Sequence, residues 1–238
     1  MRPRTQPYQA SNLHQRRPKR LLVTTVILVV SIFLIKVAVD TGSKHVSAAA
    51  VQVPSQSVCL DAGHGGDDPG AQNGNLTEAA VNLTVAKVVR TALLSKGYGV
   101  HMTRTNDKTL TNADRVNFCN AKKATILVSI HQNSYTDGGP DYSTALQYKP
   151  EDAELANTLA NAAGAELGLT VTPPMQFDDG MLMRATMPSA IIESLFISNN
   201  AEADAGDRVN QQAQGIVNGI TQYLKAHKPT QPTKSATN

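Results

Sequence analysis

The chain has 238 residues, of which 41% are hydrophobic and 17% are charged, so a disordered chain is excluded and one ordinary domain with accessory segments is expected. Aromatic residues make up 4% and Trp is absent, which argues against a platform that stacks nucleic-acid bases. Residues 1–50 hold eight of the 22 basic residues but one of the 19 acidic ones. Residues 51–238 are therefore slightly acidic, and we expect no nucleic acid among their partners.

The N-terminal region predicts a membrane anchor. Residues 1–20 are basic, and an apolar stretch over 21–39 contains 15 successive residues without a charge. This pattern predicts a transmembrane signal-anchor with a cytoplasmic N-terminus and an extracytoplasmic remainder. A small-residue cleavage site at 48–50 lies far beyond the apolar run, so we favour an uncleaved anchor over a cleaved signal peptide and a secreted protein.

The rest of the chain divides into three parts. Residues 40–56 are small and polar and predict a linker, and 227–238 are rich in Pro and Thr and predict a disordered tail. Between them, residues 57–226 have the length of a single catalytic domain with one core.

Strand-like and helix-like segments alternate along this domain. In chain order, the patterns predict a strand at 58–60, a helix at 78–96, a strand at 98–102, a helix at 112–122, a strand at 126–130, a helix at 152–167, a strand at 190–192 and a helix at 213–224. The alternation predicts an α/β fold of three layers, α/β/α, with a mostly parallel central sheet. In such sheets, ligands bind at the carboxyl ends of the strands.

Four candidate functional residues lie where this rule places a site. His64, His131 and Glu193 each follow a predicted strand, and Glu78 begins the first long helix. Two imidazoles and one carboxylate can hold a catalytic zinc ion, and a further carboxylate can serve as general base. Each residue alone also has a structural interpretation: a hydrogen-bonded histidine, a first-turn acid favoured by the helix dipole, or a solvated carboxylate.

Five blocks of residues occur in order along the domain. They are Val58–Ala71, which contains DAGHGG and DPGA; Glu78 followed by Asn82-Leu83; Thr103-Arg104 with Asp107, Arg115 and Asn120; Ser129–Asn133, which reads SIHQN; and Pro188–Glu193, which reads PSAIIE, with Phe196 and Ser198-Asn199 after it. Together these blocks resemble the catalytic domain of zinc-dependent N-acetylmuramoyl-L-alanine amidases, the type 3 cell-wall amidase family. The resemblance covers nearly the whole domain and is weakest over 137–181.

The resemblance implies a site and an activity. His64, Glu78 and His131 would be the ligands of one Zn²⁺ ion, and Glu193 would be the catalytic carboxylate. The substrate would be peptidoglycan, cleaved between the lactyl group of N-acetylmuramic acid and L-alanine in cell-wall remodelling, cell separation or lysis. Two alternatives remain: a zinc carboxypeptidase-like amidohydrolase with another substrate, and a non-catalytic wall-binding or activator protein of amidase shape. A protein activator is a further possible partner.

Three more residues are candidates for supporting roles. We expect Asp61 and Asn133 to orient the histidines from behind the metal site. Arg184, just before the last strand, is a candidate for binding a substrate carboxylate, although a structural ion pair is the favoured interpretation. Some members of the family carry an inhibitory helix between the second histidine and the catalytic glutamate. We expect none here, because the predicted helix 152–167 and short strands occupy that interval.

The two cysteines leave one question open. Cys59 lies in the first predicted strand and Cys119 in a helix. Outside the membrane they could form a disulfide, but both patterns look buried, and we therefore favour two unpaired thiols.

Overall fold

Helices and strands run from Ser57 to Ala226 in a computed structural model that describes residues 54–135, 139, 141–199 and 206–229. The predicted cytoplasmic segment 1–20 and transmembrane segment 21–39 lie outside the described residues, as do nearly all of the linker and most of the tail, so these four remain predictions. None of the helices in the described part combines the length and the apolarity needed to cross a bilayer.

The centre of the fold is a mostly parallel sheet that contains seven strands within the described residues. Together with the two strands of a separate hairpin, the strands of the described residues are β1 Ser57–Ala62, β2 Gln72–Asn73, β3 Leu76–Thr77, β4 Gly99–Met102, β5 Ile126–Asn133, β6 Tyr142–Gln147, β7 Thr170–Val171, β8 Met175–Gln176 and β9 Ser189–Phe196. The order across the sheet is β4-β1-β5-β9-β6-β7, with β8 also paired to β6, while β2 and β3 form a separate small hairpin. β6 runs antiparallel to β9, and the other pairs of the large sheet are parallel.

Four α-helices flank the sheet in the described part of the chain. They are α1 Glu78–Ser95, α2 Asn112–Lys122, α3 Ala153–Leu167 and α4 Gly206–Ala226. The Thr77 hydroxyl caps α1 by accepting a hydrogen bond from the amide of Ala80, and α3 ends at Gly168, which has a φ of 69°. Both ends follow the usual capping chemistry, which is why the sequence pattern located these helices.

The sheet has a hydrophobic core on each face, so the architecture has three layers. One core joins the apolar sides of α1, α3 and α4 to alternate strand residues such as Val128 of β5 and Ile192 of β9. The other core, under α2, contains Leu127 and Ile191, which point the opposite way from the same strands. The predicted α/β fold with a mostly parallel sheet is confirmed.

Three strands, β1, β5 and β9, are longer than the sequence predicted, and two of them extend through candidate site residues. β5 continues to Asn133 and β9 to Phe196, so His131 and Glu193 lie within strands rather than after them. Ser194 and Phe196 are buried, and this burial carries β9 past the polar residue at 193. The interval from β5 to β9 also holds β6, β7 and β8, of which β6 is a buried strand of six residues.

The expectation of two unpaired thiols is wrong, because Cys59 and Cys119 form a disulfide. Both cysteines are fully buried, as expected. The bond links β1 to α2 across the second core. Burial therefore did not argue against pairing, since these two positions face each other in the same core.

Candidate metal centre and active site

Three of the predicted site residues meet at the carboxyl edge of the sheet. His64 lies in the loop after β1, Glu78 is the first residue of α1, and His131 lies in β5. One possible ligand atom from each lies within 4.8 Å of the other two. Within the described part of the chain, this is the one cluster of His, Cys, Asp and Glu with such spacing.

The Glu78 carboxylate is the centre of this cluster. It is 4% exposed, and its oxygens lie 3.1 Å from Nε2 of His64 and 2.9 Å from Nδ1 of His131. The backbone amides of Ala71 and Gln132 donate to the same two oxygens. Burial acts to raise the pKa of Glu78, but its hydrogen bonds to both histidines and their charges hold the pKa well below its usual range.

The His64 ring is held in one orientation. Its Nδ1 lies 2.8 Å from Oδ2 of Asp68, which leaves Nε2 to face Glu78. Burial lowers the pKa of His64, but the hydrogen bond to Glu78 and the carboxylates of Glu78 and Asp68 outweigh burial and raise it from 6.5 to about 8. The His64 backbone has a φ of 59°, which is uncommon for a residue with a side chain.

Two glycines make room for the ligands. A Cβ at Gly63 would lie 2.1 Å from Nε2 of the His131 ring. A Cβ at Gly70 would lie 2.7 Å from a carboxylate oxygen of Glu78, and Gly70 also has a φ of 65°. Both distances are too short for any larger residue, so the glycines are required for the ligands to approach one another.

This donor set fits a zinc ion. Zinc takes imidazole nitrogens and carboxylate oxygens at about 2.0–2.2 Å in a tetrahedron, so neighbouring ligand atoms lie about 3.3 Å apart. One carboxylate oxygen of Glu78 lies beside each histidine, Oε2 at 3.1 Å from Nε2 of His64 and Oε1 at 2.9 Å from Nδ1 of His131, and each of these two distances is close to that value. Three protein ligands are also the number that a catalytic zinc site uses.

Asp61 supports the site, but not through the contact that the sequence predicted. Its buried carboxylate accepts hydrogen bonds from Thr103, Ser129 and Arg115 and from neither site histidine. Burial acts to raise its pKa, but the charge of Arg115 and these hydrogen bonds lower it below the usual range. Arg115 in turn donates to the backbone carbonyl of His64 at 2.9 Å, so Asp61 acts on the His64 loop through Arg115.

Two buried polar residues near Glu78 were given no role by the sequence analysis. Asn82 donates from Nδ2 to the carbonyl of Gly63 and to Glu78, in each case at 3.3 Å. Gln132 donates from Nε2 to Oδ1 of Asn82. The sequence spacing could have identified Asn82 as a neighbour of Glu78, because a residue four positions after Glu78 lies one helical turn further along the same face.

Glu193 faces a cleft of about 360 Å³ that is also lined by His64 and His131. Glu193 is opposite His131 in the parallel pairing of β5 with β9. Burial raises the pKa of Glu193; the nearby His131 opposes this effect, and the charge of Glu78 adds to it. The structure therefore brings all four main candidates to one place.

Arg184 and Asn133 lie apart from this arrangement. Arg184 is exposed and donates from Nε to the carbonyl of Gly180 at 2.6 Å. Among the described residues it forms no ion pair, and it does not line the cleft. The Asn133 side chain accepts a hydrogen bond from the amide of Ser134 and, among the described residues, forms no hydrogen bond with either site histidine.

The helix between His131 and Glu193 does not cover the cleft. This helix, α3, packs against α4 and the first core. The cleft opens on the other face of the sheet, where Ile191 lies. Within the described residues, no inhibitory helix occupies the site.

Residues 58–222 match the sequence profile of the Amidase_3 family, N-acetylmuramoyl-L-alanine amidase. The chain belongs to this family. Over 181 residues it is 34% identical to the uncharacterized protein YqiI of Bacillus subtilis, covering 74% of this chain and 88% of YqiI. The family match identifies the domain as an N-acetylmuramoyl-L-alanine amidase.

Solved structures agree with this assignment. The catalytic domain of CwlV, an amidase from Bacillus (Paenibacillus) polymyxa, is similar with a TM-score of 0.68 and 30% identity, covering 71% of this chain and 98% of that one. The CwlD amidase from Clostridioides difficile, solved in complex with the GerS lipoprotein, is similar with a TM-score of 0.61 and 27% identity, covering 72% and 99%.

Proposed function

We propose that this amidase is zinc-dependent and hydrolyses the peptidoglycan amide between the lactyl group of N-acetylmuramic acid and L-alanine. The observation that carries the proposal is the convergence of His64, Glu78 and His131 within 4.8 Å, beside a cleft that also contains Glu193. The family indicates which bond is cleaved, and the geometry of the site indicates which residues bind the metal and act in catalysis.

Contacts within the protein prepare His64 and Glu78 to bind the metal. Asp68 holds Nδ1 of His64 and so leaves Nε2 for coordination. Glu78 is already ionised, because its low pKa keeps the proton off the carboxylate. A zinc ion held by His64, Glu78 and His131 would supply Lewis acidity for the activation of water and the polarisation of the scissile carbonyl.

Glu193 has the place and the chemistry of a general base. Its carboxylate accepts a proton from the attacking water while the new C–O bond forms. It then donates that proton to the amine of L-alanine as the C–N bond breaks. A carboxylate whose pKa is raised by burial is a stronger base than an ordinary glutamate and takes up the proton of the water more readily.

We further propose an extracytoplasmic domain anchored by residues 21–39, with residues 1–20 in the cytoplasm. The buried Cys59–Cys119 disulfide supports this location, because disulfides persist mainly in oxidising compartments. An anchor of this kind places the domain beside the cell wall. The CwlD–GerS complex supports the proposal that a protein partner also binds this chain.

The function is tested with the full chain, peptidoglycan and mass spectrometry of the released ends. We expect stem peptides with a free L-alanine amino terminus, and we expect a chelator to abolish them and added zinc to restore them. Glu193→Ala should abolish release while keeping its zinc, because Glu193 is not a ligand. Glu151→Ala is the matched control, since Glu151 is exposed and does not line the cleft.

Two outcomes would contradict the proposal. Intact lactyl–alanine bonds with zinc present would favour a non-catalytic binding protein of amidase shape. Cleavage of simple peptides in preference to muropeptides would favour an amidohydrolase with another substrate.

A further inference from the structure

Thr144 in β6 lies directly opposite Glu193 in β9. The two strands are antiparallel, and their register pairs Thr144 with Glu193 and Leu146 with Ile191. Leu146, Ile191 and Glu193 all line the cleft. Because side chains alternate between the faces of a strand, Thr144 lies on the same face as these three.

The hydroxyl of Thr144 is buried and has no hydrogen-bond partner. Thr144 is 0% exposed, and its Oγ1 contacts no donor or acceptor in the described structure. An unsatisfied buried hydroxyl is unfavourable. We therefore expect the Thr144 hydroxyl to have a polar partner within hydrogen-bonding distance.

The carboxylate of Glu193 is a suitable partner. Among the described residues, no side chain or backbone amide donates a hydrogen bond to it, although most of the side chain is buried. Directly opposed residues of an antiparallel pair have Cβ atoms about 4.5–5.5 Å apart. Rotation about the side-chain torsions of Glu193 spans the remaining gap to the Thr144 hydroxyl.

We infer that Thr144 is a positioning residue whose hydroxyl donates a hydrogen bond to the Glu193 carboxylate. This bond holds one carboxylate oxygen towards β6 and leaves the other directed at the attacking water. Since Thr144 is fully buried, it acts through Glu193 and does not contact the substrate. The inference rests on the proposed role of Glu193 as general base.

Ser143 provides a matched control on the same strand. Its hydroxyl is also fully buried and also without a partner in the described structure. It points to the other face, towards α3, where it lies near Gly164. Removing this hydroxyl therefore changes the same strand without changing the surroundings of Glu193.

The first measurement compares kcat and KM of the full chain with those of Thr144→Val, Thr144→Ser and Ser143→Ala. We expect Thr144→Val to lower kcat about tenfold with KM unchanged, the factor expected for one lost hydrogen bond at a reacting group. Thr144→Ser should stay within about threefold of the unsubstituted chain, because it keeps the hydroxyl. If Thr144 has only a structural role and its hydroxyl stays unsatisfied, the opposite result is expected for Thr144→Val. The Val side chain then fits in place of Thr, the fold is stabilised, and kcat does not change.

The second measurement is independent of activity. Thermal unfolding midpoints are compared for the unsubstituted chain, Thr144→Val, Glu193→Ala and the double variant. We expect non-additive changes, because the hydrogen bond is lost in either single variant. Additive midpoints, or an unchanged kcat in Thr144→Val, would overturn the inference. If the unsubstituted chain releases no stem peptides, the proposed function fails, and the unfolding cycle still decides whether Thr144 and Glu193 are coupled.

Discussion

Reduction of the Cys59–Cys119 disulfide should destabilise the domain by an amount that follows from its position in the chain. The two cysteines are 60 residues apart. In the chain-entropy treatment, opening a loop of that length lowers the free energy of unfolding by about 4 kcal/mol at 25 °C. For a domain of this size, the change corresponds to a fall in Tm of roughly 10 °C.

The assay is thermal unfolding of the full chain, followed by circular dichroism, with and without a reductant. The bond is buried, so the chain is first unfolded in denaturant, reduced and refolded, and two titratable thiols confirm the reduction. The variant with Cys59→Ala and Cys119→Ala is the control, and its Tm should not respond to reductant. A fall of less than about 3 °C in a fully reduced chain would refute the loop-entropy reasoning.

The same reduction should weaken zinc binding. The disulfide ties β1 to α2, and α2 also carries Arg115, one turn before Cys119. Arg115 holds the backbone carbonyl of His64. A looser α2 therefore releases the loop that presents a ligand, and we expect a higher Kd for zinc in the reduced chain, measured by competition with a chromophoric chelator.

Two further predictions concern the metal site. Gly63→Ala should raise the Kd for zinc at least tenfold, because the new methyl group would lie 2.1 Å from the His131 ring; Gly180→Ala, where the nearest atom is 3.5 Å away, should leave it unchanged, and equal Kd values would contradict the packing argument. Zinc affinity should also rise with pH, about tenfold per unit, and level off above about pH 8, because the pKa of His64 in the metal-free chain is about 8 and a ligand imidazole must lose its proton. A Kd that does not change between pH 6 and 8 would show that His64 is not a ligand.

The sequence was most informative where a local pattern and a local structure coincide. Apolar residues at helical spacing and a following glycine located α1, and the predicted bounds of α2 are the observed ones, Asn112–Lys122. His64, Glu78 and His131 could be grouped because the ends of parallel strands meet at one edge. Their distances could not be predicted, because these depend on Gly63 and Gly70 allowing close approach.

The features that the sequence did not predict depend on register across the sheet. Cys59 and Cys119 are far apart in the chain, and only the packing of α2 on β1 brings them together. Thr144 lies in a strand whose bounds were not predicted, and its importance appears only when β6 is aligned with β9. Asp61 was correctly associated with the site, but its partner could not be read from spacing, since Arg115 reaches it from α2.

Two buried arginines hold the backbone of the His64 loop in its observed geometry. A positive φ at a residue with a side chain is strained and persists only when its surroundings enforce it. Here three successive carbonyls, those of Ala62, Gly63 and His64, accept hydrogen bonds from the buried guanidinium groups of Arg104 and Arg115. These charge-assisted bonds are individually strong, and together they offset the strain at His64. Because these bonds already hold the loop, metal binding has to order little of the backbone. The free energy of coordination is therefore not reduced by a large ordering cost.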